Sequence, residues 1–162
     1  MEAVYALNET RVATTSGPGI VDIYRHAQQA GAIYHTPRPA VGDLVFFHNT
    51  FDRNGDGRNN DWYTHIGIVE DVDEAGTVSF LSYMNGEVQR HVLNLESPSV
   101  GREGSRVLNS ELRAAASGDP DFTQRLAGEL FAGFGSLLGD REEVVVIDNW
   151  QPGSTVNLQA AR

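Results

Sequence analysis

Cysteine is absent from the 162 residues. The chain therefore forms no disulfide, offers zinc no thiolate ligand and carries no sulfur nucleophile of its own. Basic residues are scarce as well: twelve Lys and Arg stand against twenty-two Asp and Glu, a formal net charge of −10. Phosphates attract clustered cations, so this balance argues against a nucleic-acid partner and against an anionic membrane surface. No run of residues reaches the roughly 18 to 20 apolar positions that cross a bilayer. The stretch Met1 to Arg11 lacks the basic start and apolar centre of a signal peptide.

What is present suffices for one core. Hydrophobic residues make up 40% of the chain, and its length fits a single domain of mixed class over residues 1–162. Glu2 to Leu7 is helix-compatible and passes into a polar, Thr-rich stretch. Gly17-Pro18-Gly19 followed by Ile20, Val21, Ile23, Tyr24 and Ala27 predicts a helix over 18–30. Leu44-Val45-Phe46-Phe47 reads as a buried strand, and Thr64 to Val72 as another. Asp73-Glu74-Ala75-Gly76 turns the chain into a third, Thr77 to Tyr83, and Asn85-Gly86 turns it again into Val88 to Leu93. Further on, Asn109 to Leu112 is expected to open a short helix. Leu126, Leu130, Phe131, Phe134 and Leu137 predict a helix over 122–138, with a last strand over 142–148. The expectation is an α+β fold, a central antiparallel sheet of five or six strands with helices packed on it.

Two motifs share one neighbourhood. Gly42-Asp43-Leu44-Val45-Phe46-Phe47 is followed, across one loop, by His65-Ile66-Gly67-Ile68-Val69. Together they resemble the paired strands of NlpC/P60 and CHAP domains, papain-like cysteine peptidases that hydrolyse bacterial cell-wall peptides. The resemblance covers residues 1–95; residues 96–162 would be a helical extension with a final strand. It implies a papain-like core, a peptidoglycan peptide as partner and a place in the cell envelope. It also implies that His65 is the general base and that Ser82, on the next strand, stands where the family has a group orienting that His. Serine departs from the family's His, Asn, Gln or Glu, and a hydroxyl cannot offset an imidazolium as a carboxylate does, so Asn85 is an alternative partner. Glu2-Ala3-Val4-Tyr5-Ala6 is similar to the helix that follows the family's nucleophile, which would place the cysteine just before Met1.

Imidazole chemistry suits this role, since a group titrating near neutrality takes a thiol proton and returns it to a leaving amine. Two functions stay open: a Cys–His hydrolase-like domain of cell-wall peptides, inactive without its thiol, and a catalytically silent module that binds wall fragments or a protein. His65 as a mere strand cap is the bland alternative.

The loop from Asp52 to Asp61 has oxygen-bearing side chains at positions 1, 3 and 5 and glycine at 6, the spacing of a calcium loop. Asp52, Asn54, Asp56, the Arg58 carbonyl, Asn60 and Asp61 are the expected Ca2+ ligands. Tyr63 stands where such loops place a bidentate Glu, leaving an ordinary polar turn as the alternative. His26, His35, His48 and His91 show no zinc spacing and read as surface or packing residues. Trp62 and Tyr63, beside His65, are expected to line a substrate groove or to anchor the loop.

Overall fold

The computed structural model describes residues 19–30 and 32–136. Helix α1 (Ile20–Gln29) is amphipathic, with Tyr24 and Ala27 buried and Ile20 and Ile23 packed beside Tyr24, the one-face spacing of a surface helix. The strands are β1 (Ile33–Tyr34), β2 (Leu44–Phe47), β3 (His65–Val72), β4 (Thr77–Met84), β5 (Glu87–Asn94), β6 (Arg102–Glu103) and β7 (Arg106–Val107). A one-turn helix α2 (Ala127–Leu130) runs directly into β8 (Phe131–Gly135).

Six strands form one sheet in the order β1-β8-β2-β3-β4-β5, while β6 and β7 pair separately. Every neighbouring pair is antiparallel. The architecture is α+β. Successive side chains on a strand point to opposite faces, so the sheet supports two apolar layers. Tyr34, Val45, Phe47, Val69, Val78, Phe80, Leu93 and Phe134 pack on one face with Leu112, Ala127 and Leu130. Leu44, Phe46, Ile66 and Ala132 pack on the other against Tyr24 of α1. A strand covered on both sides has no polar alternation, which is why all four residues of β2 are apolar and buried.

Both strand motifs owe part of their composition to this packing. Asp43 accepts hydrogen bonds on Oδ2 from the Tyr34 hydroxyl and the Ala40 N–H, tying the turn before β2 to β1. Gly67 faces Phe80 so closely that a Cβ would lie 2.6 Å from the ring. The Asn85-Gly86 turn holds both residues at positive φ, 55° and 90°, as a tight two-residue hairpin loop requires.

The C-terminal helices differ from expectation. Residues 109–112 are not helical: Glu111 bridges to Leu126, and Ser110 ties to β5 through its N–H on the Val92 carbonyl and its hydroxyl on the Val92 N–H. Of the helix predicted over 122–138, only Ala127–Leu130 is helical among the described residues, which end at 136, and Phe131–Gly135 is a strand. Gly128, Gly133 and Gly135 each cost a helix about 1 kcal/mol relative to Ala. As a strand the segment fits between β1 and β2, pairing Phe131 with Phe47 and Phe134 with Val45. The stretch read as a helical extension thus supplies an interior strand of the main sheet. The expected helix at Glu2 to Leu7 and strand over 142–148 lie outside the described residues.

Candidate functional site

The loop joining β2 to β3 is clamped at its base before it reaches His65. Thr64 N–H donates to the Phe47 carbonyl at 2.9 Å, and Asn49 N–H to the Asp61 carbonyl at 2.8 Å. Asn49 Oδ1 accepts the Asp61 N–H at 2.7 Å, His48 Nδ1 accepts the Tyr63 N–H at 3.0 Å, and the Thr50 and Thr64 hydroxyls meet at 2.8 Å. His65 thereby starts β3 directly opposite Phe47.

His65 Nε2 lies 2.9 Å from Ser82 Oγ on the adjacent strand β4. Ser82 is 4% exposed; its hydroxyl meets the imidazole and is not placed to meet a substrate. Asn85 lies in the exposed turn beyond Met84, so of the two expected partners it is Ser82 that meets the ring. Nδ1 of His65 has no hydrogen-bond partner among the described residues. Burial, and then the charge of nearby His91, push the His65 imidazole down to about 4, so it is neutral at neutral pH. With Nε2–H donated to Ser82, Nδ1 would carry the basic lone pair. The groove expected between His65 and the amino-terminal helix falls partly outside the described residues.

His91, which the sequence reads only as a surface or packing residue, lies near this site. It is buried on β5, opposite Phe80, with its ring 5.5 Å from that ring and Nε2 without a hydrogen-bond partner. Burial lowers its pKa. Counting by twos from Ser82 through Phe80, and across to β5, puts His91 on the His65 face, a signal available only once the strand register is known.

The polar loop closes on itself. Asp52 accepts the Gly55 N–H at 2.7 Å on one oxygen and the Gly57 N–H at 2.8 Å on the other. Asn54 Oδ1 accepts the Asp56 N–H, Asp56 Oδ1 the Arg58 N–H, and Asp56 Oδ2 the Asn60 amide. These bonds hold the Asp56 carboxyl below its ordinary range, the Asn60 amide first among the causes. Asp52, Asn54, Asp56 and Asn60 are thus brought together, and each carboxylate oxygen keeps lone pairs for a hard cation. Asp61 takes no part in that network. Among the described residues there is no group of three or more His, Asp or Glu able to hold a metal, so a cation here would lean on amide and carbonyl oxygens.

Trp62 and Tyr63 do not share a face with His65. Tyr63 adopts φ of 53°, and its ring stacks on Tyr24 of α1 with centroids 3.8 Å apart. Burial and the Tyr24 phenol push its own phenol pKa up. Trp62 packs edge-on against His48 at 4.7 Å and stays 63% exposed. Both line a cavity on the α1 side together with Arg53 and Asp61.

No helix among the described residues is long and apolar enough to cross a membrane. Comparison with protein-family models, with curated proteins and with solved structures found no match.

Proposed function

We propose that this chain is a Cys–His hydrolase-like domain for cell-wall peptides, of the NlpC/P60 or CHAP kind. His65 is its general base and Ser82 its orienting partner. The observation that supports this reading is the 2.9 Å contact between His65 Nε2 and Ser82 Oγ, which holds the ring so that Nδ1 is open to an incoming thiol. Without cysteine in the chain, these residues have a base and nothing for it to activate, so the 162 residues alone hydrolyse no peptide at an enzymatic rate. The substrate class, the cell-envelope location and the papain-like relationship rest on the resemblance of the two strand motifs. A Ca2+ ion held by Asp52, Asn54, Asp56, the Arg58 carbonyl and Asn60 would brace the loop that delivers His65 to β3.

A second reading is a silent module that binds wall fragments or a protein partner. An imidazole held at about 4 by burial, with a hydroxyl instead of a carboxylate behind it, is a weak base at neutral pH and favours this reading. One experiment separates the two. The reading frame is extended upstream through the first cysteine codon, and the longer protein is incubated with muropeptides. Release of peptide products, abolished by His65→Ala, supports the hydrolase. An upstream region without cysteine, or a longer protein that binds muropeptides without cleaving them, leaves the module.

A further inference from the structure

The face of the sheet opposite His65 carries a cavity of about 460 Å³ between α1 and the segment leading into β3. Tyr24 and Arg25 line it from the helix, and Arg53, Asp61, Trp62 and Tyr63 from the loop. Its volume suits a small organic ligand. Three features of its wall point to the chemistry of that ligand.

The first is Asp61. The residue is 6% exposed, its backbone is engaged on both sides by Asn49, and its Oδ2 has no hydrogen-bond donor. A buried carboxylate with an oxygen left without a donor is costly, and Asp61 lines the cavity, where a donor on a ligand would offset that cost. The second is a pair of cations. Arg53 donates to the carbonyls of Trp62 and Tyr63, which fixes its charge along the loop wall, and Arg25 faces it from α1, paired only loosely with Asp22 at 3.6 Å. The third is aromatic surface: the Tyr24–Tyr63 stack and the exposed indole of Trp62. Tyr63 holds this arrangement at a positive φ that non-glycine residues rarely adopt, and such backbone strain concentrates at binding sites.

We propose that this cavity binds a small zwitterion of the amino-acid type. Its ammonium group sits on Asp61, its carboxylate between Arg25 and Arg53, and its side chain against Trp62. One buried anion and two cations on the wall match one positive and one negative group on the ligand. The aromatic faces take the uncharged remainder. Two sources share this chemistry: a free amino acid, and a short peptide with both termini free. The inference does not rest on the hydrolase reading, because His65 and Ser82 lie on the other face of the sheet.

Calorimetric titration of the 162-residue protein tests the proposal, with alanine, alanylalanine, N-acetyl-alanylalanine and glucuronate as probes. Alanine or alanylalanine binds, and which of them binds more tightly identifies the source. N-acetylation of the dipeptide and Asp61→Asn each weaken binding by at least about tenfold, as loss of a charge-assisted hydrogen bond should. Trp62→Ala, at an exposed position, weakens it by at least about threefold. A melting curve keeps the Asp61 variant interpretable: removing an unpaired buried charge should leave the free protein at least as stable as wild type. The proposal is overturned if the acetylated dipeptide binds as well as the free one, or if glucuronate binds and neither amino compound does. It is equally overturned if no probe binds at about 10 mM, or if Asp61→Asn melts well below wild type, which would make Asp61 a structural residue.

Discussion

Tyr63 and His65, two residues apart, face opposite sides of the sheet. In a regular strand they would share a face, but the left-handed backbone at Tyr63 turns its ring onto Tyr24 while His65 begins β3 and meets Ser82. One short segment therefore serves two places, a cavity against α1 and an imidazole on the far side. The candidate base is separated from the aromatic residues beside it in sequence.

Gly67 is required by packing. A Cβ there would lie 2.6 Å from the Phe80 ring and 3.0 Å from the Leu81 carbonyl, and Phe80 is fully buried. Gly67→Ala is expected to cost about 1 to 3 kcal/mol, read as a lower denaturant midpoint at unchanged slope. Restored stability in Gly67→Ala/Phe80→Leu would identify the Phe80 ring as the cause.

The strand half of the fold was legible because its signals are local. Four apolar residues at Leu44 to Phe47, the Asn85-Gly86 turn and the Asp73 to Gly76 turn each specify backbone through their own residues. The segment over 122–138 was not legible, because Leu126, Leu130 and Phe134 satisfy a helical spacing equally well. What decides in favour of a strand is the slot between β1 and β2, a tertiary fact that overrides propensity. The resemblance of the two strand motifs implied Ser82 as the partner of His65, with Asn85 as the alternative, and the contact is with Ser82. Asp61 and His91 could not be assigned their surroundings, since an unpartnered buried atom is visible only when its neighbours are known.

Acid should destabilise the protein in two windows. The His65 imidazole is depressed from 6.5 to about 4, so between these values the unfolded chain binds a proton that the native protein refuses, and stability falls as pH falls. The full loss is about 3 kcal/mol. Below that, the guanidinium of Arg113, first among several hydrogen bonds, holds the Asp119 carboxyl at about 2 instead of 3.8. Its stabilisation is complete above the unfolded value and disappears as pH falls through about 2. Urea midpoints measured from pH 7 to pH 2 should show both steps, with His65→Gln flattening the upper one and Asp119→Asn the lower. A wild-type midpoint that is level from pH 7 to pH 4 would contradict the first assignment.

Calcium should stabilise the native loop. An ion that binds only the folded state adds about 2.7 kcal/mol at a hundredfold excess over its Kd. The wild-type Tm should therefore rise from chelator to millimolar calcium, and Asp52→Ala/Asp56→Ala should remove the rise. If wild-type Tm is the same in both buffers, the loop is a polar turn held by its own hydrogen bonds.

If Ser82 points a neutral His65 so that Nδ1 is the free base, nitrogen-detected NMR of the 15N-histidine protein reads it directly. His65 should then be the Nε2–H tautomer at neutral pH, titrate at about 4 and lose its single tautomer in Ser82→Ala. A midpoint near the ordinary 6.5, or a proton resident on Nδ1 with Nε2 accepting from Ser82, would contradict it.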